Sequence, residues 1–90
     1  MEKTLLIKVF GEVQGVGFRY FTVNVAKQLG VTGTVKNLFN GNVEIKARAE
    51  ESVLNEFIKY IQKGPMLARV EKLDIQEINE QDFDGFKIRY

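Results

Sequence analysis

Residues 4–29 of this chain read TLLIKVFGEVQGVGFRYFTVNVAKQL, and the spacing of the apolar residues changes midway through this stretch. Apolar residues first occupy alternate positions, at Leu5, Ile7 and Val9. This alternation predicts a strand over Thr4–Phe10 with one fully apolar side. From Phe18 onward, apolar residues recur at helical spacing, which predicts a helix over Phe18–Leu29 that ends at Gly30. The fold therefore begins with a strand, a glycine-rich loop and a helix.

The remaining elements follow from the same patterns. Strands are predicted at Gly33–Asn37, Asn42–Ala49 and Arg69–Ile78, with a short extra strand that carries Phe86, Ile88 and Tyr90. The first two are joined by a tight turn at Asn40-Gly41. Ser52 is a candidate N-cap of a second helix, which Gly64-Pro65 ends.

This order, β-α-β-β-α-β with an additional strand, predicts an α+β fold of the ferredoxin-like type. Right-handed crossovers place both helices on one face of a mostly antiparallel sheet of four to five strands. Residues 1–90 are expected to form a single domain. The other face of the sheet carries Lys46, Arg48 and Lys87, so we expect it to face solvent.

Composition argues against several classes of function. The near balance of 13 basic and 12 acidic residues disfavours a broad surface for nucleic acid or membrane. Without cysteine or histidine, the chain lacks disulfides, thiolate chemistry and the usual ligands of zinc and copper. The apolar run near the start is short and interrupted by Lys8, which is unlike a secretion signal or a membrane span. We therefore expect a cytoplasmic protein.

The segment 11–19, GEVQGVGFR, has the composition of an anion-binding loop. Its glycines allow tight turns that bring backbone N–H groups close to a ligand. The loop then enters a helix, whose first turn leaves N–H donors unpaired and carries a partial positive charge. Arg19 adds a guanidinium, whose fork of donors matches two oxygens of one phosphate. The expected ligand is a phosphate or another small oxyanion.

Each of these features also has a purely structural interpretation. A glycine-rich turn can serve only to pack a helix against a sheet, and an arginine in a first helical turn is often solvated. Asn37, which ends a strand, has the composition of a turn residue. The dinucleotide-binding pattern fails because Tyr20 stands where its third glycine belongs, and the P-loop pattern fails because Gly-Lys-Ser/Thr is absent.

Two segments together resemble the signatures of the acylphosphatase family, small enzymes that hydrolyse the carboxyl-phosphate bond of acyl phosphates. The first signature is VFGEVQGVGFR at residues 9–19. The second is GTVKN at residues 33–37, followed by Gly41 and Val43. With Gly64-Pro65 and the closing Phe86-Lys87-Ile88, the resemblance covers essentially the whole chain.

The chain departs from the family pattern at two positions. Thr34 stands where an aromatic residue is usual, and Ala49 stands where a glycine is usual. We expect these differences to affect the pocket wall and the third strand, and so substrate preference and rate more than reaction type.

The resemblance implies a ferredoxin-like fold, an enzyme without cofactor, and two catalytic side chains, Arg19 and Asn37. We also expect the enzyme to work without a metal ion. We expect the Arg19 guanidinium to clamp the phosphoryl group and Asn37 to orient a water for in-line attack. The phosphoryl oxygens are then cradled by the backbone N–H groups of Gly15, Val16, Gly17 and Phe18. A departing carboxylate needs no general acid, because its conjugate acid has a pKa of about 4. The expected partners are a small acyl phosphate and the product inorganic phosphate, bound by a monomer that contacts neither nucleic acid nor membrane.

Two other functions stay open on the sequence. Many ferredoxin-like domains bind single-stranded RNA through aromatic residues on the open sheet face. A second alternative is a regulatory domain that keeps the phosphate pocket but has lost turnover, or a domain that is normally joined to a larger carbamoyl-transferring enzyme. One further expectation concerns Tyr90: the chain ends there on a strand, so its terminal carboxylate is a candidate for orienting Arg19.

Overall fold

The protein, described here from a computed structural model of all residues from Met1 to Tyr90, contains two helices and five strands. In chain order these are β1 (Glu2–Glu12), α1 (Phe18–Leu29), β2 (Thr32–Asn37), β3 (Val43–Glu50), α2 (Glu51–Lys63), β4 (Arg69–Ile78) and β5 (Phe86–Arg89). The strands form one sheet in the order β4-β1-β3-β2-β5. Neighbouring strands are antiparallel except for the parallel pair β2 and β5. This confirms the predicted ferredoxin-like α+β sandwich, with β5 as the additional strand.

The core lies between the two helices and one face of the sheet. Alternate residues of the strands are buried there, as Ile7 in β1 and Ile45 in β3 show, and both side chains are fully inaccessible. Leu54, Phe57 and Ile61 supply the facing side of α2. Burial of each such side chain contributes about 1.5–3 kcal/mol, so this layer is the main stabilising element of the fold.

The start of α2 differs from the prediction. The helix begins at Glu51 and its N-cap position is Glu50, whose backbone is extended, so Ser52 lies inside the first turn and does not cap it. The physical reason is that β3 runs directly into the helix without a connecting loop. The predicted bounds of α1 are confirmed, including the left-handed Gly30 (φ 75°) that ends it.

The open face of the sheet is only partly solvated, because the connection between β4 and β5 crosses it. These strands lie at opposite edges of the sheet, so residues 79–85 must pass over the strands between them. The Thr4 hydroxyl donates to the Glu80 carbonyl at 2.6 Å, and Lys46 pairs with the Glu80 carboxylate at 2.8 Å. Thr4 is consequently buried. The prediction of a solvent-facing surface is therefore wrong at this end of the sheet.

At its other end, β1 leaves the sheet through an irregularity that leads into the glycine-rich loop. The register with β4 shifts between Phe10 and Gly11, as in a β-bulge, and bulges bend a strand at such exits. Gly11 has φ 130°, and a Cβ built there would lie 2.1 Å from the Arg69 carbonyl oxygen. Only glycine permits this close approach of the β1 backbone to the backbone of β4.

Candidate active site

A pocket of about 140 Å³ lies where the glycine-rich loop, the first turn of α1 and the end of β2 meet. It is lined by Val13, Gly15, Gly17, Phe18, Arg19, Tyr20 and Asn37. Because a water molecule occupies about 30 Å³ of liquid, this space is sufficient for a small tetrahedral anion with an adjacent water. The fold thus brings together Arg19 and Asn37, the two side chains on which the sequence-based prediction of catalysis rests.

The N–H groups of the loop main chain have no hydrogen-bond partner within the protein. Inside the protein, the N–H groups from Val13 to Tyr20 donate to no carbonyl and to no side-chain oxygen. Gly15 (φ 74°) and Gly17 (φ 79°) adopt left-handed conformations, which let the chain curl before α1 begins. Gly17 is also the N-cap and offers no side chain to satisfy the first turn. Unpaired donors at a curled loop and a helix start attract an anion.

Of the backbone positions predicted to hold phosphate, three line the pocket directly: Gly15, Gly17 and Phe18. Val16 lies between them in the chain, but its side chain packs against the core and it is not among the lining residues. Phe18 is buried, with its ring tilted against Phe21 at a centroid distance of 6.0 Å. The loop is therefore anchored to the core by apolar side chains while its main chain borders the pocket.

Arg19 enters the pocket with an uncommitted charge. Its guanidinium forms no ion pair and no hydrogen bond within the protein. By contrast, Arg48 lies 3.5 Å from Glu2 and donates to Thr4 at 3.1 Å. The donor fork of Arg19 can therefore bind an incoming oxyanion without first breaking an ion pair or a hydrogen bond.

The group that contacts Arg19 is the aromatic ring of Tyr90. The guanidinium carbon lies 5.1 Å from the ring centroid, within the range of a cation–π contact. The expected ion pair between the terminal carboxylate and Arg19 is absent, so that prediction is wrong. In the parallel register of β2 and β5, Lys36 pairs with Arg89. Tyr90 follows Arg89 as Asn37 follows Lys36, so the end of β5 lies next to the end of β2.

Asn37 is held by the sheet while its carboxamide stays free. It is the last residue of β2, paired with Val43 across the antiparallel ladder. Because side chains alternate along a strand, it shares the helix-facing side with the buried Val35. Its carboxamide makes no hydrogen bond within the protein and is partly exposed in the pocket. Such a group can bind a water molecule at a fixed position.

Gln14 contributes a connection that the sequence pattern did not identify. Its side-chain amide nitrogen donates to the carbonyl oxygens of Leu38 (2.7 Å) and Asn42 (2.8 Å). These hydrogen bonds tie the glycine-rich loop to the turn that follows Asn37. No local pattern predicts them, because they join positions 24 and 28 residues apart.

The two positions that depart from the family pattern do not line this pocket. Thr34 lies on the open face of the sheet, where it borders a separate cavity of about 420 Å³. Ala49 is buried on the helix-facing side of β3. The expectation that Thr34 shapes the wall of the catalytic pocket is therefore wrong, because alternation along β2 turns its side chain to the other face.

The chemistry available in the pocket is that of oxyanion binding by neutral and positive donors. No carboxylate and no histidine is among the lining residues. Free amides can donate hydrogen bonds to an oxyanion, one guanidinium can offset part of its charge, and a carboxamide can orient a water molecule towards it. This arrangement suits a reaction in which positioning and charge stabilisation are sufficient.

Known acylphosphatases are similar to this chain both in sequence and in structure. A sequence model described as acylphosphatase matches residues 5–88. The acylphosphatase of Thermotoga petrophila is 46% identical over 98% of both chains, and that of Archaeoglobus fulgidus is 44% identical over 96% of this chain and 97% of its own. The crystal structure of acylphosphatase from Bacillus subtilis superposes with a TM-score of 0.93, at 35% identity and full coverage of both chains.

Proposed function

The chain belongs to the acylphosphatase family, and from this membership and the pocket geometry we propose how it carries out its reaction. The enzyme hydrolyses the carboxyl-phosphate bond of acyl phosphates, releasing a carboxylate and inorganic phosphate. Arg19 and Asn37 are the catalytic side chains, and the loop main chain from Gly15 to Phe18 binds the phosphoryl group.

The phosphoryl group of the substrate binds first in the curl of the loop. Its oxygens accept hydrogen bonds from the free N–H groups before and within the first turn of α1, where the helix adds a partial positive charge. The guanidinium of Arg19 donates to two of the oxygens at once. Because charge spreads over these oxygens during phosphoryl transfer, donors fixed in advance stabilise the transition state without reorganisation.

Asn37 then orients the nucleophile, which is a water molecule. The carboxamide holds a water molecule in line with the bond to the departing carboxylate, so attack and departure occur on opposite sides of phosphorus. A carboxylate at this position would repel the anionic substrate, whereas a neutral amide does not. The leaving carboxylate needs no proton, because its conjugate acid has a pKa of about 4. The water gives up its proton to solvent or to the phosphate product.

One observation carries this proposal: one small pocket is lined by loop residues whose N–H groups have no partner within the protein, by Arg19, which makes no ion pair or hydrogen bond, and by Asn37, whose carboxamide is free. The RNA-binding alternative has no comparable support, since residues 79–85 cross part of the open sheet face that it requires. We further propose that the protein acts as a cytoplasmic monomer in one domain and without a nucleic-acid partner. A net charge of +1 fits that absence, and size-exclusion chromatography and RNA titration test the oligomeric state and the partner.

The test is hydrolysis of benzoyl phosphate in the presence of a chelator, followed for the wild type and two variants. Arg19→Lys is expected to lose most of both turnover and phosphate affinity, because an ammonium cannot replace the donor fork. Asn37→Ala is expected to lose about 100-fold or more in kcat while phosphate still binds, by analogy with the loss of one oxyanion-hole donor.

Matched controls are Arg89→Lys and Asn24→Ala, which alter exposed residues outside the pocket and should behave as wild type. A kinetically normal Arg19→Lys enzyme would remove the clamp from the mechanism. Loss of phosphate binding in Asn37→Ala would make Asn37 a binding residue instead. Dependence of wild-type turnover on a chelatable ion would contradict the metal-independent scheme.

A further inference from the structure

The side chain of Gln14 spans the two halves of the active site. It projects from the loop whose main chain borders the phosphate pocket, and its amide nitrogen lies 2.7 Å from the Leu38 oxygen and 2.8 Å from the Asn42 oxygen. Both partners are carbonyls, which only accept hydrogen bonds, so both N–H groups of the amide are used. Gln14 is partly buried, which limits the competition from water for these bonds.

The two carbonyls belong to the residue pair that closes the hairpin between β2 and β3. The Leu38 N–H donates to the Asn42 carbonyl at 2.8 Å, so these two residues already pair across the hairpin. Gln14 adds two further hydrogen bonds to this pair. The preceding pair in the ladder is Asn37 with Val43. The contact is thus one step beyond the residue that is proposed to hold the attacking water.

The fold makes such a link necessary. The phosphate loop follows β1 and Asn37 ends β2, and these strands are not neighbours, because β3 lies between them. The distance from phosphorus to the attacking water therefore depends on how the loop sits against the hairpin. In-line attack is sensitive to this distance, since a displacement of about 1 Å can cost 100-fold in rate.

We propose that Gln14 is a positioning residue, which holds the hairpin carrying Asn37 in register with the phosphate-binding loop. This inference rests on the proposed roles of the loop and Asn37. Gln14 contacts neither the substrate nor the reacting atoms, and it acts through Asn37. Its removal should reduce turnover while the phosphate-binding donors, which are in the loop main chain and Arg19, keep most of their affinity.

The first test is Gln14→Met, which keeps the length of the side chain and removes both donors. We expect kcat for benzoyl phosphate to fall about 10-fold or more, while the inhibition constant of inorganic phosphate changes by less than about 3-fold. Gln14→Glu, which keeps the shape and presents a carboxylate to two carbonyls at pH 7, should lose at least as much turnover. Asn40→Ala is the control, because it removes a hydrogen bond within the same turn, from Asn42 N–H to the Asn40 side chain, and leaves the bridge intact.

The decisive test is a double-mutant cycle with Asn37→Ala. If Gln14 acts through Asn37, the loss caused by Gln14→Met should largely disappear when Asn37 is already alanine. Equal losses in both backgrounds would overturn the proposal, as would an unchanged kcat. A parallel fall in turnover, phosphate affinity and thermal stability, or failure of both Gln14 variants to fold, would make Gln14 a structural residue and also overturn it. Failure of the proposed function itself would be visible separately, as a wild-type protein without turnover.

Discussion

Replacing Tyr90 by leucine removes the ring that lies against the Arg19 guanidinium, and it is expected to weaken phosphate binding. The ring centroid is 5.1 Å from the guanidinium carbon, inside the limit of about 6 Å for a cation–π attraction. An exposed pair of this kind contributes about 0.5–1 kcal/mol, so the orientation that it gives the guanidinium can change the phosphate dissociation constant by at most about 2- to 5-fold. The exposed value applies, because Tyr90 is 93% accessible.

The structure also explains why a ring is suited to this place. A carboxylate beside Arg19 would orient the guanidinium but would compete with the phosphate for its donors and charge. A ring face orients the same group and leaves every N–H free. Tyr90→Phe keeps the ring and should therefore retain wild-type affinity.

The assay compares the inhibition constant of inorganic phosphate and the kcat/KM for benzoyl phosphate in the wild type, Tyr90→Phe and Tyr90→Leu. Because residue 90 is exposed, the free energy of unfolding should change by less than about 0.5 kcal/mol in Tyr90→Phe. In Tyr90→Leu it should fall by no more than about 0.5–1 kcal/mol, the contribution of the contact itself. Wild-type affinity in Tyr90→Leu would refute the role of the ring. An equal loss in Tyr90→Phe would assign the effect to the hydroxyl group.

Three other outcomes are expected. Gly33→Ala should lower the free energy of unfolding, measured by chemical denaturation, by about 3 kcal/mol or more, because a Cβ at φ 150° would lie 1.7 Å from the Lys46 carbonyl oxygen. Gly30→Ala should lower it by only about 1–2 kcal/mol, since the space around Gly30 is open. Equal losses in the two variants would contradict the steric reasoning. The kcat should vary little between about pH 6 and 8, since neither histidine nor a carboxylate lines the pocket, and a steep inflection near pH 7 would require another group. Phosphate at 100 times its Kd should stabilise the wild type by about 2.7 kcal/mol, measured as a rise in Tm. The Tm of Arg19→Lys should not rise at the same phosphate concentration. An equal rise in both proteins would show that the anion binds elsewhere.

Local patterns in the sequence predicted the elements that carry the site. The change from alternate to helical spacing gave α1 its bounds, and Gly30 gave its end, because both depend on residues close together in the chain. Ser52 misled for the same reason: capping composition is local, whereas the direct entry of β3 into α2 depends on how the sheet and helix join.

Features that depend on contacts between residues far apart in the chain were not predicted from the sequence. The crossing of residues 79–85 over the sheet follows from β4 and β5 lying at opposite edges, which no periodicity shows. The contact of the Tyr90 ring with Arg19, in place of a terminal carboxylate, depends on the parallel pairing of β5 with β2. The hydrogen bonds of Gln14 depend on the loop and the hairpin meeting in space, so the residue type alone indicated nothing.

The most direct test of the phosphate site is a titration of the ¹⁵N-labelled wild type with inorganic phosphate, followed by the amide resonances in NMR spectra. Saturable shifts are expected, concentrated at the backbone amides of residues 15–19, with the Asn37 side-chain amide also affected. Shifts confined to the larger cavity on the open face, around Lys46 and Arg89, or no saturable shift at the loop, would contradict the proposed phosphate site.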